Sequence, residues 1–148
     1  MSDKQLLVHL TQEKDCRFEI AFEGGVPELT VDEPPPLGSA TGPSPVQLLS
    51  AAIGSCISDS LLFALRKFKQ SPEPMRCEMR ANVGRNPKGR MRVARMNAVL
   101  TFGEAANQLA HTDRALVQFA EFCTVTQSVR TGIPVTVGVY DASGLQLK

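Results

Sequence analysis

Between Pro45 and Lys69 the sequence predicts a long helix whose first charged side chain is Asp59. A helix on the surface of one small domain keeps a polar face. This one has none through its first half, so that half is expected to be buried on most sides. A chain of 148 residues does not readily supply that cover, and the helix therefore predicts a homodimer. Ala51, Ala52, Gly54, Ser55 and Ser58 are small, which lets another backbone approach closely. Ser44 before Pro45 reads as an N-cap followed by proline at the first helical position. The basic end, Arg66-Lys67-Phe68-Lys69, suits the negative end of the helix dipole.

Around this helix the chain alternates strand and turn signals. Leu6–Leu10, Phe18–Phe22 and Glu28–Val31 are predicted strands, with Gly24-Gly25 as a turn. Asp32 to Pro45 is a loop stiffened by Pro34-Pro35-Pro36. After the helix, Met75, Cys77, Met79, Ala81 and Val83 alternate with polar residues, and Asn86-Pro87-Lys88-Gly89 turns the chain. On the return strand the inward set shifts from Met91 and Val93 to Met96, Ala98, Leu100 and Phe102. One inserted residue near Ala94-Arg95 produces that shift, so a β-bulge is predicted there. A helix from Glu104 to Phe122 follows, with Leu109, Leu116, Ala120 and Cys123 on one face. A shorter helix from Thr124 to Thr131 closes at Gly132, and Pro134 to Val139 is a last strand. This order predicts a single α+β domain over residues 1–148 with a largely antiparallel sheet.

Composition narrows the function classes. The net charge is +1, with one Tyr and no Trp, which argues against nucleic-acid partners. Six arginines (76, 80, 85, 90, 92 and 95) fall on one predicted hairpin without interleaved aromatics, and they read as a solvated outer face. The longest uncharged stretch, Pro34 to Ser58, is interrupted by five prolines. It predicts no membrane span, and no secretory signal is visible. The expectation is a cytoplasmic protein without a membrane partner. Cys16, Cys56, Cys77 and Cys123 form no Cys-x-x-Cys pair, and His9 and His111 are far apart in sequence. No metal site and no cofactor are expected.

Two of these cysteines decide between chemistry and packing. Cys56 lies within the uncharged helix and Cys123 at the end of the next one, each among small or hydroxyl-bearing neighbours. Free cysteines in apolar helices are ordinarily inert. A pair of them can instead reduce peroxides: one thiolate becomes a sulfenic acid and the other condenses with it to a disulfide. Cys123 sits where one helix stops and another starts, so backbone N–H groups are expected to point at it. Cys56 is mid-helix and is expected to need a side-chain cation. Their separation of 67 residues says nothing about contact. Cys77, on an inward strand face, reads as core, and Cys16 implies no site. Asp59, three residues beyond Cys56, counts against catalysis if it points at that thiol.

The segment Ser44-Pro45-Val46-Gln47-Leu48-Leu49-Ser50-Ala51-Ala52-Ile53-Gly54-Ser55-Cys56 resembles the signature helix of the OsmC/Ohr family of osmotically inducible and organic-hydroperoxide-resistance proteins. Cys123-Thr124-Val125, followed by a short helix, Gly132 and Pro134-Val135, resembles the family's second cysteine motif. Asp32-Glu33-Pro34-Pro35-Pro36-Leu37-Gly38 is similar to the loop preceding its helix. The resemblance covers nearly the whole chain, most specifically residues 32–66 and 119–139. It implies an OsmC-like fold in an intertwined homodimer, with largely antiparallel sheets wrapped around two long central helices. It also implies a cysteine-based peroxidase acting on small hydroperoxides, with Cys56 peroxidatic, Cys123 resolving and an external thiol as reductant. Arg17 is the nearest match to the family's activating arginine. Val46 and Gln47, at the substrate-binding positions, replace the glutamate that active members commonly carry there. That departure supports a second reading: an OsmC-fold protein of little turnover that binds a small apolar or thiol-reactive ligand at the dimer interface. A third is a structural dimer whose cysteines only pack.

Overall fold

The computed structural model describes residues 3–148. The chain forms two compact units, Met1–Leu48 and Leu49–Lys148. The first is an antiparallel sheet of β1 (Val8–Lys14), β2 (Arg17–Phe22) and β3 (Leu29–Val31), in that order. The first strand runs later than its apolar letters suggest. Leu6 and Leu7 lie outside it and are exposed, because the pairing starts where Val8 meets Phe22.

The loop after β3 is organised by a single buried carboxylate. Asp32 Oδ2 accepts hydrogen bonds from the Ser39 and Thr41 N–H groups and the Thr41 hydroxyl, while Oδ1 accepts one from Glu33 N–H. These bonds hold its acidity below the ordinary aspartate range, the Thr41 hydroxyl contributing most. The fold around this carboxylate leaves no room for a side chain at position 38. A Cβ on Gly38 would overlap Asp32 Oδ1 and the Glu33 carbonyl.

Helix α1 (Pro45–Lys67) runs through the boundary at Leu48. Its start is a capping box: Ser44 Oγ accepts the Gln47 N–H, and Gln47 Oε1 accepts the Ser44 N–H. The second unit adds β4 (Arg76–Arg85), β5 (Met91–Thr101) and β6 (Val135–Tyr140), with β4 antiparallel and β6 parallel to β5. Residues Ile53, Ile57, Leu61 and Leu65 recur every four positions along α1 and are fully buried. They share one core with Met96, Ala98, Leu100, Phe119 and Val139. A Cβ on Gly54 would crowd the Met79 side chain of β4, at 2.8 Å from its Cγ. By length and composition alone α1 would cross a bilayer, yet one side of it is this core. The expected bulge lies at Ala94: Asn82 pairs with Arg95 and Val83 with Val93, so Ala94 is the extra residue.

Within the single chain the first half of α1 is buried on one side only, as expected of a helix that one small domain cannot cover. Ile53 and Gly54 are buried, but Ala51, Ala52 and Ser55 are exposed, because one three-stranded sheet covers one side of a helix. One expectation needs correction: the helix expected from Glu104 to Phe122 is broken into a 3-10 turn (Ala106–Gln108), α2 (Thr112–Gln118) and a second 3-10 turn (Phe119–Phe122). Tertiary partners capture the backbone donors that a continuous helix needs. Asp141 Oδ2 takes the Ala106 N–H and Gln70 Oε1 takes the Ala110 N–H. His111 adopts a left-handed conformation with φ of 59°, its ring stacked on Phe68 with centroids 5.0 Å apart.

Asp141 ties the start of this segment to the C-terminal turn. Besides Ala106, it accepts bonds from the Ser143 N–H and hydroxyl and from the Leu145 N–H. The Ser143 hydroxyl is the main reason its pKa falls to about 2, and the Ala106 N–H is next. A depressed carboxylate pKa stabilises the fold above the unfolded value of about 3.9 and loses that contribution as pH falls through the folded value. Acid unfolding is therefore expected to steepen between about pH 4 and pH 2. In Asp141→Asn that part of the pH dependence should vanish, as followed by circular dichroism.

Candidate functional site

Helix α3 (Thr124–Val129) begins at Cys123, its N-cap. An N-cap side chain ordinarily accepts the N–H of the second or third helical residue. The Cys123 side chain does not; it turns inward instead. Its Sγ lies 2.7 Å from Cys56 Sγ and 2.8 Å from Thr126 Oγ1. The N–H groups of Val125 and Thr126, at the second and third positions of the helix, act on the Cys56 thiol and lower its pKa. A disulfide spans about 2.05 Å, so these two free thiols stand within bonding reach after a small displacement.

The two sulfurs differ in access. Cys123 is fully buried, whereas Cys56 is partly exposed. Only Cys56 offers a face to an incoming molecule. Burial pushes the Cys56 thiol up, and the adjoining Cys123 sulfur adds to the rise; the Val125 and Thr126 N–H groups oppose both. No lysine or arginine is among the groups that act on it most.

The sequence placed backbone donors at Cys123 and none at mid-helix Cys56. The structure reverses this: N–H groups at the start of α3 act on Cys56, from a different helix. The hydroxyl of Thr126 went unnoticed. Its signal was present as Cys123-x-x-Thr126, the spacing of an N-cap and the third residue of its helix. Asp59 is exposed and is not among the main influences on Cys56.

Asp59 instead lines a groove with a volume of about 470 Å³, together with Ser60, Phe63, Ala64, Phe119 and Phe122. The groove lies next in sequence to both thiols. Ser60 follows Cys56 by one helical turn on the same face, and Phe122 immediately precedes Cys123. Its walls are mainly apolar.

In the N-terminal unit, Arg17 opens β2 and its Nε lies 3.1 Å from Glu13 Oε2. Glu13 is the residue left over where the β1–β2 register shifts between Gln12 and Lys14, and bulges of this kind re-aim a side chain. Arg17 thus has a carboxylate partner that does not come from the first turn of α1. A recess of about 60 Å³ beside it is lined also by Lys14, Asp15, Asp32, Gly38 and Ser39. Gln47 spends its amide oxygen on the capping box, and Val46 precedes it in the first turn of α1.

The remaining candidates are structural. Cys77 packs against the core of the second unit, and burial raises its thiol. The hairpin arginines are exposed, and several bond to the hairpin itself. Arg80 pairs with Glu78, Arg85 donates to the Gly89 carbonyl, Arg92 to the Met91 carbonyl and Arg95 to Asn82. Among the described residues, no group of three His, Cys, Asp or Glu side chains is placed to hold a metal ion.

Residues 38–138 match the family model described as OsmC-like protein. Solved structures similar to the chain include one from Psychrobacter arcticus, at 19% identity and a TM-score of 0.79, covering 94% of this chain and 98% of that one. An organic hydroperoxide resistance protein OsmC from Legionella pneumophila aligns at 15% identity with a TM-score of 0.71 and the same coverages, 94% and 98%. The organic hydroperoxide resistance protein OhrB of Bacillus subtilis aligns at 16% identity and a TM-score of 0.68, with 92% and 98% covered. No curated protein sequence matches the chain. At these identities the structural likenesses speak to the fold alone.

Proposed function

The chain belongs to the OsmC-like protein family, and from that premise we propose that it is a thiol-dependent hydroperoxide reductase. The observation that carries this reading is the 2.7 Å approach of Cys56 and Cys123, with only one of the two sulfurs open to solvent. The Cys56 thiolate attacks the distal peroxide oxygen, the O–O bond breaks, and the alkoxide leaves as an alcohol once protonated. Sulfur is oxidised by two electrons to a sulfenic acid. Cys123 then attacks that sulfur, the S–O bond breaks, and water departs as the disulfide forms. An external thiol, supplied in a reducing cytoplasm, returns both cysteines to thiols. The apolar groove beside Phe63 and Phe122 favours organic over inorganic hydroperoxides.

Burial raises the Cys56 pKa, so turnover near neutral pH calls for a cation. Arg17, held by Glu13, is the proposed source. An opposite charge nearby lowers a thiol pKa, so Arg17→Ala should move the pH profile of Cys56 alkylation upward. It should also slow hydroperoxide reduction at pH 7 by about 10- to 100-fold. An alkylation profile that stays in place would remove Arg17 from the reading. Val46 and Gln47 are proposed to border the substrate, Gln47 through the amide nitrogen that the capping box leaves over.

The exposed, uncharged and small-residue face of the first half of α1, Ala51, Ala52 and Ser55, supports a homodimer formed through that helix. Light scattering is expected to give about twice the 16.0 kDa chain mass. A stable monomer at micromolar concentration would contradict this.

One observation favours a second reading. The groove is apolar and the Cys56 thiol is raised, which suits an OsmC-fold protein that binds a small apolar or thiol-reactive ligand with little turnover. Titration with cumene hydroperoxide and thiol counting separates the two. The reductase loses two thiols per chain at stoichiometric peroxide, and Cys56→Ser loses none of this pair. The binder keeps its thiols, and its melting temperature rises with apolar ligand even in Cys56→Ser.

A further inference from the structure

Thr126 is fully buried, and its hydroxyl stands 2.8 Å from Cys123 Sγ. Cys123 Sγ in turn stands 2.7 Å from Cys56 Sγ. A thiol has one proton. If Cys123 donates it toward Cys56, the bond to Thr126 is donated by the Thr126 hydroxyl. The three groups then form one directed chain, from Thr126 O–H to Cys123 S–H to Cys56 sulfur. Solvent does not reach Cys123, so water cannot solvate a charge on that sulfur. Thr126 is the hydroxyl placed to do so.

We propose that Thr126 is the positioning residue of the resolving cysteine, holding Cys123 Sγ against Cys56 and stabilising the negative charge it carries in both directions of the disulfide step. In closure, the Cys123 sulfur loses its proton to the departing oxygen of the Cys56 sulfenic acid as the S–S bond forms and water leaves. The Thr126 hydroxyl donates to that sulfur as charge develops on it. In reopening, an external thiolate can attack only Cys56, because Cys123 is buried. The S–S bond breaks, the electron pair leaves on Cys123, and a mixed disulfide forms at Cys56. A more stabilised leaving thiolate departs faster, and the same hydroxyl supplies the stabilisation. The initial peroxide attack places no charge on Cys123, and the Thr126 hydroxyl reaches Cys56 only through Cys123, so this step should respond to the substitution far less than closure does. The Thr126 N–H that acts on Cys56 survives any change of its side chain.

This inference rests on the reductase reading for its peroxide arm, so the test has two arms. In the first, wild type, Thr126→Val and Thr126→Ser react with one equivalent of cumene hydroperoxide, and dimedone traps sulfenic acid for mass spectrometry. Oxidation of Cys56 should proceed within about twofold of wild type in all three. Closure in Thr126→Val should slow by about 10- to 100-fold, the worth of one hydrogen bond to a charged group, and sulfenic acid should accumulate. The closure rate of that variant should also rise at higher pH than in wild type, and Thr126→Ser should restore both rate and profile. In the second arm diamide replaces the peroxide to form the disulfide, and dithiothreitol reopens it. Thr126→Val should reopen more slowly by a similar factor. Where Thr126→Val does not fold, Thr126→Ala carries the same expectation. Closure and reopening at wild-type rates and pH dependence would overturn the role of Thr126. Unreactive wild type toward peroxide, with a normal diamide disulfide and a slow Thr126→Val, would overturn the reductase reading and leave Thr126 standing. No disulfide between residues 56 and 123 under diamide would overturn both.

Discussion

Cys56→Ser is expected to lower the rate of organic hydroperoxide reduction by at least about 10³-fold, because a serine hydroxyl is a far weaker nucleophile than a thiol when nothing activates it. The loss should appear in the first oxidation step and not only in turnover. The substituted residue keeps its helix: Cys56 is only partly buried, and serine is smaller, so the urea midpoint should change little. Peroxide consumption followed by ferrous–xylenol orange, beside thiol counting, checks the prediction. Activity within about tenfold of wild type would show that another residue carries the chemistry.

Cys123→Ser is expected to separate oxidation from turnover. One equivalent of hydroperoxide should still oxidise Cys56, since that sulfur remains open to solvent and retains the Val125 and Thr126 N–H groups. No disulfide forms, and the product is a sulfenic acid that dimedone traps. Excess peroxide should then drive Cys56 on to sulfinic acid, the irreversible rung of the ladder. Repeated turnover with a dithiol should fall sharply, by about 10²-fold or more in its steady-state rate. Intact-mass measurement distinguishes the products: one oxygen added at stoichiometric peroxide and two in excess. A variant that turns over like wild type would remove Cys123 from the cycle.

Much of this architecture was legible because it is written in periods. The inward shift between Val93 and Met96 placed a bulge near Ala94-Arg95, and the strand pairing puts it at Ala94, since a one-residue slip moves every following side chain to the other face. The Ser44-Pro45 start of α1 is visible in local chemistry. The break between Glu104 and Thr112 was not, because its causes lie elsewhere in the chain, in Asp141 and Gln70. At the site, the two sulfurs could be named but not brought together. The contact depends on where α3 lies beside α1, and no local pattern encodes that. The same holds for the N–H groups that act on Cys56, which come from a helix beginning 124 − 56 = 68 residues further on. Glu13 escaped notice for a subtler reason: a register slip of one residue turns it toward Arg17.

The central claim is that Cys56 and Cys123 are one redox unit. Peptide mapping of wild-type protein after one equivalent of cumene hydroperoxide, alkylated under denaturing conditions, tests it most directly. The account predicts a single intramolecular disulfide between residues 56 and 123, with Cys16 and Cys77 recovered as alkylated thiols. Recovery of all four cysteines as thiols, or a disulfide joining any other pair, would contradict it.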